Sequence, residues 1–284
     1  MKININNEYD ELKSVIVASA NYFDPNTLAL NNETIKHYAA NNCSIDKQLI
    51  LFEQKQFWNL LKKNDVNILI ANNVDNAKGQ MFTRDLAFVI EDKFFISNMR
   101  KENRKKAING WNEIIKNIDP DNIIKIPSNI YLEGGDVIID NKTIYVGISK
   151  RTTIDGVNFL KTKLGNDYKV IPLQLKPKFL HLDVVFAIIN PNICLIYKEG
   201  LEEESYNLLN RYEKIELTES EQFELATNVF VIDKKTIIMN SNHKRIQKIL
   251  RDKNFKIVPL DISETSKLGG AFRCTTCPIY RVRS

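Results

Sequence analysis

The fold is decided by the stretch LEGGDVIIDNKTIYV, which occupies residues 132–146. Its apolar residues 137–139 and 143–146 stand on either side of the polar turn Asp140-Asn141-Lys142. Short runs of β-branched and aromatic residues around such a turn are typical of a β-hairpin. The stretch therefore predicts two adjacent strands, and the hairpin itself does not need the polar residues Glu133 and Asp136 ahead of them.

The same order of apolar run, polar turn and apolar run occurs at three further places. These are Leu86–Ile90 with Phe94–Ile96, Val184–Ile189 with Ile193–Tyr197, and Val229–Ile232 with Thr236–Met239. A fifth unit is predicted to be split between Ser14–Val17 and Tyr280–Val282. A spacing of roughly 40 to 50 residues lies in the range of repeat and propeller architectures.

Between these hairpins, apolar residues recur at three- and four-residue steps, which indicates amphipathic helices. The predicted helices are Gln48–Lys63, Lys101–Asn117, 154–164, Glu202–Tyr212 and 241–251. The repeating unit is therefore strand, strand, helix, strand, present about five times, and the fold class is α/β. Because no linker or low-complexity tract divides the chain, we expect one domain over residues 1–284.

Composition excludes several classes of function. The net charge is only +5 and is spread along the chain, which argues against nucleic acid as a partner. The basic stretch Arg100–Lys106 is interpreted as a solvated face. The N-terminal residues contain no apolar signal segment, and no apolar run approaches the roughly 18 residues that span a bilayer. With four scattered cysteines, these features favour a cytoplasmic protein without a membrane partner.

Polar residues lead every predicted hairpin. The leads are Thr83-Arg84-Asp85, Glu133-Gly134-Gly135-Asp136, His181-Leu182-Asp183 and Ala226-Thr227-Asn228, and Gly269-Gly270-Ala271-Phe272-Arg273-Cys274 precedes the last strand. If the repeats close into a ring, equivalent strand starts converge on its axis. That arrangement would gather Asp85, Glu133, His181, Asp183 and Cys274 in one pocket.

This set of residues suits chemistry on a guanidinium. Asp85 and Asp183 can hold the planar cation by charge-assisted hydrogen bonds. Cys274 can attack its carbon as a thiolate, although a free thiol with a pKa of about 8.5 needs neighbouring positive charge, from the substrate, His181 or Arg273. His181 can protonate the departing amine and then activate water. Glu133 can orient and charge the imidazole.

Other candidate residues receive plainer interpretations. Asp136 is taken as structural support, and His37 and His243 have no companions, so we expect them at the surface. The spacing of Cys274 and Cys277 also occurs in zinc and redox sites. No second pair exists for zinc, and the pair lies late in the chain, unlike a thioredoxin-type dithiol. A reversible disulfide between the two stays open.

The motifs FTRD at 82–85, LEGGD at 132–136, HLD at 181–183 and GGAFRC at 269–274 resemble, in this order, the guanidino-group-modifying enzymes. This superfamily includes arginine deiminases, dimethylarginine dimethylaminohydrolases and amidinotransferases. The resemblance implies the five-bladed α/β propeller called the pentein fold, with pseudo-fivefold ββαβ repeats. It also implies a covalent thiouronium-type intermediate on Cys274 and no metal or organic cofactor.

Two arginines extend the resemblance. The segment Gly147–Thr152 is similar to the family's Gly-x-Ser-x-Arg-Thr segment, which implies that Arg151 grips the carboxylate of the substrate. Arg104 stands where dimethylarginine hydrolases place a second such arginine, with Arg100 as the alternative.

Departures from the family patterns bear on substrate choice. Asp183 of HLD resembles arginine deiminases, whereas the chain length and the Ser-x-Arg-Thr segment resemble dimethylarginine hydrolases. Arg273 replaces a His that deiminases often have. We therefore expect a hydrolase that converts arginine or N-methylated arginine to citrulline plus ammonia or an amine, with a small guanidino compound as its partner; a homodimer is compatible with this.

Three alternatives to the hydrolase stay open. An amidinotransferase would pass the amidino group to an acceptor amine, and a dihydrolase would release ornithine. A non-catalytic binding protein would be expected to lose Cys274 and His181, both of which this chain keeps.

Overall fold

The computed structural model describes residues 1–23, 33–41 and 43–283. The strands are β1 (Glu11–Ala18), β2 (Asn67–Ala71), β3 (Ala87–Ile90), β4 (Lys93–Ile96), β5 (Ile123–Lys125), β6 (Val137–Asp140), β7 (Thr143–Ile148), β8 (Lys169–Gln174), β9 (Phe186–Ile188), β10 (Ile193–Ile196), β11 (Glu213–Glu216), β12 (Phe230–Val231), β13 (Thr236–Asn240), β14 (Lys256–Leu260) and β15 (Cys277–Val282). The α-helices are α1 (Glu33–Ala40), α2 (Lys47–Lys63), α3 (Glu102–Lys105), α4 (Asn112–Ile115), α5 (Ile154–Leu164), α6 (Glu203–Asn207), α7 (Glu219–Phe223), α8 (Lys244–Asp252) and α9 (Ser263–Ser266).

Within these residues, the strands form five three-stranded sheets of one design. In each sheet the middle strand runs antiparallel to one neighbour and parallel to the other, as β7 does with β6 and β8. Helical segments connect the two parallel strands, which is the crossover that a parallel pair requires. The pairings confirm the predicted strand, strand, helix, strand unit, and the α/β class with it.

The fifth sheet joins distant parts of the chain, as the split unit predicted. Its middle strand β1 pairs antiparallel with β15 and parallel with β2. Ile16 of β1 lies opposite Cys277 of β15. The segment that carries Cys274 is therefore fixed at its C-terminal end by a strand pairing.

Two predicted helices are shorter than expected. The segment predicted as Lys101–Asn117 divides into α3, a 3-10 turn over Lys106–Trp111, and α4. The interruption has a tertiary cause, because the carbonyl of Gly110 accepts a hydrogen bond from the Asn72 amide at 2.8 Å and Trp111 is fully buried. The helix predicted over Glu202–Tyr212 is limited to α6.

Three of the polar leads form short 3-10 turns directly ahead of a buried strand. They are Thr83–Asp85 before β3, Gly134–Asp136 before β6 and Leu182–Val184 before β9. All of their side chains are buried beside strands that are apolar on both faces. Equivalent turns in successive sheets therefore place polar groups at equivalent positions. Of the helices in the described part of the chain, none is long and apolar enough to cross a membrane.

Candidate active site

The structure brings the predicted polar residues together. The Nε2 atom of His181 lies 2.9 Å from Oε2 of Glu133, and its Nδ1 lies 3.6 Å from Oδ1 of Asp85. The Cys274 thiol donates to Oδ2 of Asp183 at 3.5 Å. All five side chains are at least 95 % buried. The structure thus places a thiol, an imidazole and three carboxylates in one enclosed space.

Cys274 is held by a residue that received no role in the sequence analysis. The amide Nδ2 of Asn228 donates to Sγ of Cys274 at 3.0 Å, and Oδ1 of Asn228 accepts from the backbone N–H of Cys274 at 3.1 Å and of Ala271 at 3.1 Å. Asn228 leads the fourth hairpin, so its place in the repeat was the signal that could have identified it.

The charge state of Cys274 depends on what lies beside it. Burial, and then the negative charges of Asp183 and Asp85, raise the pKa of this thiol well above its usual value, while the hydrogen bond from Asn228 lowers it. The thiol therefore holds its proton at neutral pH when the two carboxylates have no further cation between them. A cation bound there would favour the thiolate, because it offsets the same negative charges.

His181 is positively charged at neutral pH. Burial disfavours the imidazolium, but the carboxylates of Asp85, Asp136 and Glu133 outweigh it and raise the pKa of His181 to about 9. Burial also opposes the charge of Glu133, and its contacts with His181 and Arg151 nevertheless lower the pKa of that carboxyl. His181 is thus a ready proton donor, with its ring fixed by Glu133.

Asp136 supports the site from behind. Its Oδ1 accepts from the backbone N–H of Leu182 at 2.9 Å, and its Oδ2 accepts from Ser149 Oγ at 2.8 Å. Burial raises the pKa of Asp136 to about 7. The carboxyl fixes the residue between His181 and Asp183, which is the supporting position predicted from the sequence.

Gly135 allows the close packing of His181 and Asp85. A Cβ atom at this position would lie 2.8 Å from Oδ1 of Asp85 and 2.9 Å from Cγ of His181. Both distances are shorter than non-bonded atoms tolerate. The second glycine of LEGGD is therefore required by the close approach of Asp85 and His181.

Two carboxylate oxygens in the site are buried without a hydrogen-bond partner in the described structure: Oδ1 of Asp85 and Oδ1 of Asp183. The second oxygen of each group is paired, Asp85 with Arg104 at 3.2 Å and Asp183 with Arg273 at 2.9 Å. A buried acceptor without a partner is costly. Oδ1 of Asp183 is thus left for a donor that the described residues do not supply, whereas Oδ1 of Asp85 accepts no hydrogen bond there but lies 3.6 Å from Nδ1 of His181.

Arg273 holds Asp183 rather than approaching the thiol. Its Nη1 donates to Asp183, and its Nη2 donates to Glu8 at 3.0 Å and to the Val137 carbonyl at 2.8 Å. The sequence named Arg273 as one of three sources of positive charge for Cys274, beside the substrate and His181. In the structure its guanidinium pairs with two carboxylates, Asp183 and Glu8, and Glu8 was not identified from the sequence.

The arginines expected to bind a substrate carboxylate lie at the edge of the site. Arg151 is buried, and its Nη1 lies 3.2 Å from Oε2 of Glu133. Arg104 lies against Asp85, so its predicted grip on a substrate carboxylate stays a prediction. Arg100, the alternative, lines an open pocket together with Arg151.

Three remaining predictions concern cysteine and histidine. Cys274 and Cys277 are free thiols, and Cys277 is fully buried with its thiol 3.2 Å from the Ala87 carbonyl oxygen. His37 is exposed as expected. The surface position expected for His243 is wrong, because it packs beside α8 with 4 % exposure; a single histidine carries no signal for burial.

A cation could also approach the acidic side of the site. Ligand atoms of Asp85, Glu133 and His181 lie within 4.8 Å of one another. Arg104 and Arg151 already pair with the two carboxylates, and His181 is held by both. A metal ion would need the neutral imidazole of His181 as a ligand, whereas the neighbouring carboxylates favour the protonated form. A guanidinium needs only hydrogen-bond acceptors, so the site favours an organic cation over a metal ion.

The fold and the site together define a guanidino-group-modifying enzyme. The family model for N,N dimethylarginine dimethylhydrolase, eukaryotic, matches residues 19–281. The chain therefore belongs to this family.

The chain is also similar to individual proteins. The uncharacterized protein YkgA of Bacillus subtilis (strain 168) is 36% identical over 277 residues, covering 96% of this chain and 94% of that protein. The mitochondrial glycine amidinotransferase of Gallus gallus is 26% identical over 162 residues, covering 52% of this chain and 38% of that protein. The inosamine-phosphate amidinotransferase StrB1 of Streptomyces griseus has a TM-score of 0.84 at 14% identity, covering 99% of this chain and 97% of that one.

A cyanobacterial enzyme gives a similar result. The N-terminal domain of ArgZ, an arginine dihydrolase, has a TM-score of 0.83 at 18% identity, covering 96% of this chain and 98% of that one. At these identities, the two solved structures show a shared fold alone.

Proposed function

We propose that the protein is a cysteine-dependent hydrolase that cleaves a guanidinium C–N bond of arginine or N-methylated arginine and yields citrulline. One observation carries the proposal: Oδ1 of Asp85 and Oδ1 of Asp183, which are buried and accept no hydrogen bond in the described structure, belong to the two carboxylates whose negative charges raise the pKa of the Cys274 thiol. A guanidinium offers planar N–H donors and positive charge to both. It would satisfy the two oxygens and lower the pKa of the thiol in one binding event.

The first half-reaction follows from these contacts. Substrate binding displaces the thiol proton to solvent, and the Cys274 sulfur forms a bond to the guanidinium carbon. The imidazolium of His181 passes its proton to the departing nitrogen, and the C–N bond breaks. Ammonia or an amine leaves, a thiouronium stays on Cys274, and His181 becomes neutral.

The second half-reaction restores the enzyme. Neutral His181 takes a proton from water, whose oxygen bonds to the thiouronium carbon. When the C–S bond breaks, the sulfur takes up the hydroxyl proton and citrulline is released. Glu133 keeps the imidazole in place through both steps and stabilises its charged form.

The fold proposed for this chemistry is a five-bladed α/β propeller formed by residues 1–284 as one catalytic domain. The five similar sheets would be its blades. The convergence of three strand-leading turns on Cys274 supports this arrangement, because equivalent strand starts meet only near a common axis.

The test is incubation of the purified protein with arginine, monomethylarginine and dimethylarginine, followed by mass spectrometry of the products. We expect citrulline from at least one of them and a covalent Cys274 adduct at short times. The Cys274→Ser variant is expected to lose at least a thousandfold in rate, since the nucleophile is absent. Full activity in that variant would sink the proposal.

An amidinotransferase is the second candidate, because the glycine amidinotransferase of Gallus gallus and StrB1 are similar to this chain. It would form a guanidino product only when an acceptor amine such as glycine is added. The ArgZ likeness adds a dihydrolase variant, which would release ornithine with additional ammonia. Measuring citrulline, ornithine and ammonia with and without glycine separates the three.

A further inference from the structure

Glu53 of α2 is a buried carboxylate that no step of the proposed reaction uses, and its residue is only 3 % exposed. Its Oε1 accepts from the backbone N–H of Glu264 at 2.8 Å. Its Oε2 accepts from the backbone N–H of Thr265 at 2.8 Å and from the hydroxyl of the same residue at 2.7 Å. Both oxygens of the carboxylate are therefore engaged by α9.

These bonds supply a cap that α9 does not make for itself. The N-cap residue of α9 is Ile262, whose side chain makes no capping hydrogen bond. The N–H groups of Glu264 and Thr265 lie in the first turn, where the helix offers them no carbonyl and a polar N-cap side chain normally accepts from them. A helix of four residues is not stable through its own hydrogen bonds. The position of α9 therefore depends on Glu53.

The chain that follows α9 leads to Cys274. The N–H group of Gly269 donates to the Ser266 carbonyl at 2.9 Å, so the backbone stays in a tight turn beyond the helix. Gly270 then lies so close to Phe82 that a Cβ atom would be 2.6 Å from Cε1 of the ring. The end of this segment is fixed by the pairing of β15 with β1, and its start is fixed through α9.

The same buried side of α2 makes further contacts around this segment. The residue after Glu53 is Gln54, which donates to the Ala18 carbonyl at 2.9 Å and accepts from the Ala20 N–H at 3.1 Å. Ile50 is fully buried in a small hydrophobic cluster that also contains Leu268. α2 thus holds the approach to Cys274 through an apolar cluster and a set of hydrogen bonds.

We propose that Glu53 is a positioning residue for Cys274, because it fixes α9 against α2 and so sets where the following segment presents the thiol. The proposal rests on the proposed function only in taking Cys274 as the nucleophile. It goes beyond that function by making the rate depend on a residue that touches neither substrate nor reacting atoms.

Loss of this contact has a distinctive signature, because the thiol would move out of its buried place beside Asp183. Burial and the neighbouring carboxylates raise the pKa of Cys274, so a displaced thiol ionises more readily and reacts faster with a small reagent. The same thiol is no longer aimed at the guanidinium carbon, so turnover becomes slower.

Turnover is measured on Glu53→Ala and on two milder variants of Thr265. In Glu53→Ala, kcat should fall by about a hundredfold, the loss that a misplacement of roughly 1 Å can cause. KM should change little, since Asp85 and Asp183 lie on other segments. Thr265→Val removes one of the three bonds and should lose roughly fivefold to tenfold. Thr265→Ser keeps the hydroxyl and should stay near the parent rate.

Alkylation by iodoacetamide, followed for each cysteine by mass spectrometry, reports on the thiol without turnover. Cys274 should react roughly tenfold faster in Glu53→Ala at neutral pH, because a fall of about one unit in its pKa gives about ten times as much thiolate. Cys194 and Cys277 are fully buried on β10 and β15 and should stay unmodified, which distinguishes local displacement from unfolding.

Leu250→Ala is the control for stability. Leu250 is fully buried on α8, and its truncation leaves a cavity. This variant should unfold at a lower urea concentration than the parent protein and keep both the parent kcat and the parent rate of Cys274 alkylation.

The outcomes separate this proposal from the proposed reaction. Parent values of kcat and of Cys274 alkylation in Glu53→Ala would overturn the positioning role, whatever the effect on stability. Equal acceleration at Cys194, Cys274 and Cys277 would also overturn it, since the defect would then be global unfolding. If Glu53→Ala does not fold, the two Thr265 variants decide by the same measurements. If the parent protein turns over no compound, the proposed reaction is wrong, and the alkylation pattern still decides the role of Glu53.

Discussion

The side chain of Asn228 holds Cys274 at two atoms, donating from Nδ2 to Sγ at 3.0 Å and accepting the backbone N–H at Oδ1 at 3.1 Å. The first bond favours the thiolate, and the second fixes the loop that carries it. The same oxygen also accepts from the backbone N–H of Ala271 at 3.1 Å, so one amide both positions the Cys274 thiol and lowers its pKa.

Replacing Asn228 with Ala is expected to lower kcat by roughly tenfold to a hundredfold, because a hydrogen bond to a charged group is lost. The pKa of Cys274 should rise further, since the bond from Asn228 opposes the shift caused by burial and by Asp183. The pH dependence of iodoacetamide alkylation measures it. Thr227→Val, which removes only a bond to the Asp183 carbonyl, is the control and should not move the alkylation midpoint.

Gly135→Ala is expected to lower activity because the added Cβ would collide with two side chains of the site. The added Cβ would displace Asp85 and His181, at a cost of about 1–3 kcal/mol in the free energy of unfolding and a large loss of kcat. Gly165→Ala is the matched control: its φ is +72° and nothing lies within 4 Å of the added atom. It should lose stability through backbone strain but keep kcat. Unchanged kcat in Gly135→Ala would contradict the geometry.

Much of the site was readable from the sequence because the repeat places equivalent residues at equivalent strand starts. Asp85, Glu133, His181 and Asp183 were found this way, and the structure gathers them beside Cys274. Each one stands in a motif whose local pattern does not need it. A polar residue directly ahead of a buried strand is visible in the sequence, and its presence there indicates a role outside the strand itself.

The contacts that the sequence did not reveal are tertiary. Glu8 lies far from every motif and reaches Arg273 only in the folded chain. The helix predicted from Lys101 is interrupted by a hydrogen bond from Asn72 to Gly110, which no periodicity can show. The burial of His243 likewise depends on packing against other elements.

Arg273→Met is expected to destabilise the fold by about 3–5 kcal/mol, because it leaves Asp183 and Glu8 buried without their cation. Urea denaturation measures the free energy of unfolding. The double variant Arg273→Met, Glu8→Gln should recover part of that loss, since one of the uncompensated charges is gone. If the single variant unfolds at the same urea concentration as the parent, the buried pair does not have the importance assigned to it.

The free energy of unfolding should fall as pH rises from 6.5 to 9. The pKa of His181 is 6.5 in the unfolded chain and about 9 in the folded protein, so between these values the folded state keeps a proton that the unfolded state releases. The contribution is present in full below pH 6.5 and is lost as pH passes 9; its size is of order 3 kcal/mol. Asp136 acts in the same direction at lower pH, between 3.8 and about 7.

Urea denaturation at several pH values checks this prediction, with His181→Gln expected to flatten the slope. His243→Gln is the matched control. Burial lowers the pKa of His243, so its own contribution has the opposite sign and is lost as pH falls. A parent protein whose stability increases steadily through the His181 window would refute the assigned charge state.

The pairing of β1 with β15 has a consequence for biosynthesis. The strand made first among those described has, as one of its two partners, the strand made last. Four sheets can form in order as the ribosome delivers them, whereas this one waits for the segment that follows Cys274. The loop of Cys274 is therefore fixed by its strand pairing only after the segments that carry Asp85, Glu133, His181 and Asp183 have been made.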